Sequence, residues 1–433
     1  MSTTPAATTP GTTRTSLLVL AYLAFVSLGL PDGLLGVGWP SIRSDFTVST
    51  EAVGLLLTSG TVGYLVSSVV AGFTIARLGV GWLLAGSTAL ASLALTGYAG
   101  SPGLPLMVGC ALLLGLGSGA IDAGLNAYAA GAFGPRHMNW LHACFGLGVA
   151  IGPLIMTTAL GAGLAWRWGY GIVAAAQAVL ALAFVLTARN WAQHRAVPDG
   201  PTPTDVSGDP GVPDVPGVPG VPVPPAGPVR IRATLALPAV WFGALTFAVY
   251  VAIEVAAGLW AFLLLTENRG MSATAAGLGV SLYWGSLFVG RVVQGLFANR
   301  LGTRSVLLGS MLGMAAGSAL VAVPGPAWLA VLGLAIIGFG AAAVFPLLTL
   351  TTAERVGQQH ADRAIGVQIG AAGLGGALLP AALGVLIGRT SVAALGPALV
   401  VASLAMLALY WASNRPRSGP VPERPGQPAG TTG

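Results

Sequence analysis

Runs of about 20 apolar residues recur along this chain between short polar breaks. We read twelve of them, at Leu17–Gly38, Ala52–Ala76, Trp82–Gly100, Leu104–Ala130, Trp140–Gly163, Gly169–Ala188, Pro238–Leu265, Ala273–Ala298, Ser305–Val323, Trp328–Thr352, Ala364–Gly388 and Val392–Ala412. A run of that length leaves the backbone few ways to satisfy its polar groups in hydrocarbon, and a helix is the simplest. Composition agrees: 7% of the 433 residues are charged and 55% are hydrophobic, where a soluble domain carries about 25% charged residues. There is too little polar surface to cover a globule in water. The fold class expected is all-α integral membrane, with twelve transmembrane helices in two six-helix bundles, and the bilayer is the chain's first partner.

The net charge of +6 would point to nucleic acid in a soluble protein. Here topology explains it better, and no nucleic-acid partner is expected. Twelve crossings put both termini on one side. That side, with the break between spans 6 and 7, collects fourteen of the nineteen arginines, and the opposite face has Arg43, Arg167, Arg269 and Arg389. The positive-inside rule then places both termini in the cytoplasm of a cell (inner) membrane. The break holds PDGPTPTDVSGDPGVPDVPGVPGVPVPPAGP. Pro and Gly at that density exclude a helix and offer no face to fold on. The domains expected are a disordered tail (1–16), a first bundle (17–188), a cytoplasmic linker (189–232), a second bundle (233–413) and a disordered tail (414–433). Cys110 and Cys144 fall near opposite faces, so no disulfide is expected.

The two halves repeat. GFTIARLG (Gly72–Gly79) matches GLFANRLG (Gly295–Gly302), and GLGSGA (Gly115–Ala120) matches GFGAAA (Gly338–Ala343). Asp32 matches Glu254, and HACFGLGVAIGP (His142–Pro153) roughly matches QIGAAGLGGALLP (Gln368–Pro380). The offset is about 223 residues for the first three matches and about 226 for the last. Parallel repeats imply a pseudo-twofold axis along the membrane normal, with a site between the halves near the midplane.

Acids inside spans are costly and usually face a cavity or a partner. There are three: Asp32, Asp122 and Glu254, joined by Arg291 and His142. At about 1.5 Å per residue, Asp32 and Glu254 form an outer polar layer. Asp122, Asn126 one turn on, His142 and Arg291 form a layer nearer the cytoplasm. Spans 3, 6, 9 and 12 carry no such group and read as lipid-facing supports. A carboxyl group that is neutral when protonated and salt-bridged to Arg291 or His142 when ionised would gate alternating access. Each residue also has a bland reading. Asp122 and Asn126 could cross-link helices; Pro31 could break span 1, with Asp32 capping the next segment. Tyr250 and Trp260 beside Glu254 suit a hydroxylated ligand, and aromatics also pack cores. Arg291 could snorkel. His137, His194 and His360 are expected in solvent. No metal-ligand spacing, nucleophile set or phosphate loop is visible, so no enzyme, cofactor or metal is expected.

GFTIARLG and GLFANRLG resemble the Gly-x-x-x-Asp-Arg-x-Gly loop signature of the major facilitator superfamily. Arg77 and Arg300 are kept, but Ala76 and Asn299 stand where the Asp belongs. GAIDAGLNAY, followed by WLHACFGLGVAIGPL, is similar to spans 4 and 5 of the fucose permease-like branch, and YVAIEVAAGLW resembles its span 7. That resemblance implies a sugar:proton symporter. It implies proton coupling at Asp122 and Asp32, and substrate contacts from Glu254, Asn126 and His142; Tyr250 and Trp260 join the substrate-contact candidates by their position beside Glu254. Arg291, Arg77 and Arg300 are the gating candidates. The partners expected are a small solute and a proton, with sodium as the alternative ion, acting on a monomer. The competing expectations are proton-driven efflux of a small apolar compound and a transport-inactive sensor or scaffold.

Overall fold

The computed structural model describes residues 10–133, 135–193 and 231–414. Among them the secondary structure is helical. The helices are α1 Pro10–Asp45, α2 Val53–Leu78, α3 Val80–Gly100, α4 Leu104–Ala132, α5 Pro135–Gly161 and α6 Arg167–Thr187. They continue with α7 Ile231–Leu235, α8 Pro238–Leu263, α9 Ala273–Leu301, α10 Thr303–Ala322, α11 Ala327–Leu350, α12 Thr352–Val356, α13 Gln358–Arg389 and α14 Leu395–Ser413. Twelve of these are long and apolar enough to cross a membrane; α7 and α12 have five residues each. The twelve coincide with the twelve apolar runs in the sequence. Helix ends near the termini and the 194–230 segment define a tether face, and the opposite ends a far face.

α1 departs from expectation. It begins at Pro10, inside the segment read as a disordered tail, and runs unbroken through Pro31 and Pro40. Pro31 therefore does not divide the span, and Asp32 sits mid-helix instead of capping a new segment. Neighbouring helices in a membrane tolerate a proline because they re-satisfy the freed backbone groups. Here α5 packs closely enough that a Cβ on Gly33 would lie 2.3 Å from the Val149 carbonyl oxygen. At the other end of the bundle the chain stays folded through a 3-10 turn, Ala188–Gln193, with Trp191 buried.

The repeat is visible in the packing. Gly79, between α2 and α3, and Gly302, between α9 and α10, take left-handed φ values of 80° and 78°. That conformation favours glycine, which accounts for the final Gly of both loop signatures. A Cβ on Gly119 would lie 2.4 Å from both the Tyr64 carbonyl and Ser67 Oγ, and one on Gly338 2.4 Å from both the Tyr283 carbonyl and Ser286 Oγ. So α4 crosses α2 as α11 crosses α9, and small residues set the approach.

α3, α6, α10 and α14 pack within their own bundles. The bundles meet along α5 with α9, α2 with α13, and α1 with α8. The seam is tight at the far face. Arg43 pairs with Glu267 at 3.1 Å. A Cβ on Gly36 would approach the Gly258 carbonyl to 2.8 Å, and one on Gly54 would approach Ala381 Cβ to 2.6 Å. Toward the tether face, Val66, Val69, Val70 and Phe73 on α2 are exposed.

Candidate functional site

On the first bundle, α4 presents Asp122 and, one turn on, Asn126, because residues four apart share a helix face. Asn126 Nδ2 donates to Asp122 Oδ1 at 2.9 Å, and the Tyr64 hydroxyl of α2 donates to Asp122 Oδ2 at 2.6 Å. Both donors are neutral, so the carboxyl group is held without a counter-ion. Asn126 Oδ1 is buried with no hydrogen-bond partner. Asp32, by contrast, is exposed, although Pro31, Gly33 and Leu34 on either side of it are buried. It makes no hydrogen bond or ion pair with any described residue. Asp32 is thus a mid-helix carboxyl group left exposed between core residues.

On the second bundle, Glu254 accepts a hydrogen bond from the Tyr250 hydroxyl one turn earlier on α8. The same hydroxyl lies 3.1 Å from the Ala341 carbonyl of α11. Tyr283 of α9 donates to the Glu254 main-chain oxygen at 2.7 Å. Asp32 on α1 and Glu254 on α8 sit on helices that pack against each other across the seam between bundles. Arg291 and His142 sit on α9 and α5, which also meet across the seam, and α9 packs against α8. The groups read from sequence as two polar layers thus lie on helices that meet between the bundles, with Asp122 on α4 behind them.

Arg291 does not meet a carboxylate as a gate salt bridge would require. Its guanidinium crosses the seam and donates to the His142 main-chain oxygen at 2.9 Å. The His142 side chain is exposed, with its ring edge-on to Phe25 at 5.4 Å. Trp260 is not placed to touch a solute. It is 1% exposed, and its indole N–H donates to the Pro380 carbonyl at 3.2 Å, fastening α8 to α13. Tyr250 is buried too, and reaches the site through its hydroxyl alone. Arg77 is exposed at the end of α2 and makes no ion pair among the described residues; the Arg300 side chain lies outside the described residues. His360 is buried against Thr234 at 2.9 Å, and His137 bonds the Tyr22 hydroxyl at 2.7 Å, so neither is the solvated side chain expected. His194 lies outside the described residues. Cys110 and Cys144 are both free.

Sequence alone does not single out Tyr64 and Tyr283. A signal is present: each stands three residues before a repeat-related serine, Ser67 and Ser286, in TVGYLVSS and SLYWGS. A lone tyrosine in an apolar run reads as core until its partner acid is known.

The sequence pattern of the Major Facilitator Superfamily matches residues 21–264 and again 242–432. An uncharacterized MFS-type transporter of Yersinia pestis is 35% identical over 89 residues, which is 21% of this chain and 23% of that relative's length. Among solved structures, a point mutant of the nucleoside transporter NupG superposes with a TM-score of 0.68 at 14% identity, over 93% of this chain and 98% of that one. A bacterial homolog of the human lysosomal transporter Spinster, inward-facing and occupied, gives 0.67 at 13% identity over 94% and 97%. A D-xylose-proton symporter gives 0.67 at 14% identity over 90% and 97%. These likenesses fix the fold. With the double family match and the twelve spanning helices, they identify the chain as a multi-pass membrane transporter, not an enzyme, that belongs to the Major Facilitator Superfamily.

Proposed function

We propose that the chain is a secondary transporter of the fucose permease-like branch, working by alternating access as a proton-coupled symporter of a sugar or similar small polar solute. One observation carries the reading. Carboxyl groups from both bundles, Asp32 and Asp122 on one and Glu254 on the other, are carried by helices at or beside a seam that is closed at the far face by the Arg43–Glu267 pair. A solute held there touches both bundles, and its binding is linked to which face is closed.

In this reading Asp32 and Asp122 take up the coupling proton. Asn126 and Glu254 offer hydrogen-bonding groups to hydroxyls, with the Asn126 carbonyl oxygen left free for one of them. His142 and Arg291 border the route to the tether face. The arginine distribution supports placing that face in the cytoplasm of the inner membrane. Residues 17–188 and 233–413 are then the two bundles. Sodium is the competing ion, since a carboxylate with nearby carbonyls serves either.

Uptake into proteoliposomes tests this. A panel of sugars is offered under a proton gradient or a sodium gradient imposed separately. Accumulation driven by protons alone, and abolished in Asp122→Asn, is the expected result. Sodium-driven uptake replaces the ion, and uptake unchanged in Asp122→Asn removes the mechanism. Binding of apolar cations alone favours efflux, and no saturable binding of any solute favours the sensor or scaffold.

A further inference from the structure

The Tyr250 hydroxyl has one proton and two acceptors. One is the Glu254 carboxyl group on its own helix; the other is the Ala341 carbonyl on α11, at 3.1 Å. It donates to one at a time. We propose that Glu254 is a second proton-binding site, on the second bundle, and that Tyr250 converts its occupancy into a hydrogen bond between α8 and α11.

The exchange balances with one proton. When Glu254 is ionised, the Tyr250 O–H donates to the carboxylate, and Ala341 keeps only its helical partner. A proton arriving at this half-buried carboxylate bonds to Glu254 Oε2. The new carboxyl O–H donates to the Tyr250 oxygen, and the phenol O–H swings to the Ala341 carbonyl. No other co-reactant is needed.

α11 is suited to respond. Pro346 leaves the Ala342 carbonyl without its helical N–H donor. The acceptor therefore lies in the turn where the helix is most easily bent. Tyr283 holds the Glu254 main chain from α9, so the carboxyl group moves little while the phenol changes partner. The charged and titratable groups facing Glu254 are Asp32 from α1, Arg291 and Tyr283 from α9, and Tyr250 from α8 itself. α11 contains no titratable residue, and neither do the central turns of α13 and α14. Tyr250 is thus a positioning residue. The inference rests on proton coupling as proposed above, but its test needs no solute.

The test is pH-difference infrared spectroscopy of the full chain in phosphatidylethanolamine–phosphatidylglycerol liposomes, stepped between alkaline and acidic buffer. In the wild type, a protonated-carboxyl C=O band and a tyrosine ring band should rise together with one midpoint. Glu254→Gln should remove both. Tyr250→Phe should remove the tyrosine band and keep the carboxyl band, and Asp32→Asn should keep the linked pair. Size-exclusion and thermal unfolding confirm that each variant is folded; if Glu254→Gln is not, Tyr250→Phe decides alone. A linked pair that survives Glu254→Gln, loss of only one of the two bands in that variant, or a tyrosine band that survives Tyr250→Phe overturns the proposal. Failure of proton-driven uptake with these bands intact would strike the symport reading and leave the relay standing.

Discussion

Arg43 at the end of α1 and Glu267 just beyond α8 form an ion pair 3.1 Å long that joins the two bundles at the far face. Arg43 also donates to Thr50 Oγ1 at 2.9 Å, so the guanidinium is held on the first bundle and offered to the second. Both side chains are partly exposed, and such pairs contribute about 0.2–1 kcal/mol. Glu267→Gln should therefore shift the balance toward an opened far face by up to about fivefold. Spin labels at Ser44 and Ser391 would report it as a larger population of long distances, weaker in high salt.

A stronger shift should come from Gly36. A Cβ there meets the Gly258 carbonyl at 2.8 Å and that of Leu259 at 3.1 Å, across the seam between the bundles. Gly36→Val should wedge the far face open while leaving each bundle folded, with the same spin-label pair lengthening and the unfolding temperature little changed. Gly115→Ala makes the contrast. Its Cβ would fall 1.9 Å from the Gly60 carbonyl inside the first bundle, and overpacking of that kind costs about 1–3 kcal/mol. That variant should unfold several degrees earlier.

Tyr64→Phe removes one of the two neutral donors on Asp122. A hydrogen bond of this kind contributes about 0.5–1.5 kcal/mol. The variant should unfold slightly earlier, because the bond joins α2 to α4, and proton-driven uptake in proteoliposomes should fall several-fold.

Trp260→Phe separates packing from binding. The variant loses the indole donor to the Pro380 carbonyl, which contributes about 1 kcal/mol, and keeps an aromatic ring. Thermal stability should fall slightly. Solute affinity by equilibrium binding should be unchanged, whereas a direct solute contact would lower it.

The twelve helices were legible because a 20-residue apolar run has few alternatives, and the acids because each is rare. Proline was misleading. In water Pro31 would end a helix; in α1 it is buried, Gln177 of α6 donates to the Ser27 carbonyl that the proline leaves free, and the helix continues. Trp260 looked like a ligand contact because it follows Glu254 closely, yet six positions along a helix put the two on different faces. The partners of the acids were illegible for a related reason. Tyr64 and Tyr283 lie far from Asp122 and Glu254 in sequence, and only the crossing of helices brings them together.

Two of the four far-face arginines are paired with acids. Arg43 and Arg167 are neutralised by Glu267 and Asp45, Arg269 is half-buried and donates to the carbonyls of Val321, Val323 and Gly325, and Arg389 is exposed. The charge left at that end for anionic headgroups is thus that of Arg269 and Arg389. On the topology proposed above, with the tether face in the cytoplasm, most of the arginines lie at the inner leaflet. A membrane potential of 100 mV, negative inside, would then resist pulling each of them outward by about 2.3 kcal/mol. On that topology the molecule is moored more firmly at the tether end, leaving the opposite end comparatively free to part.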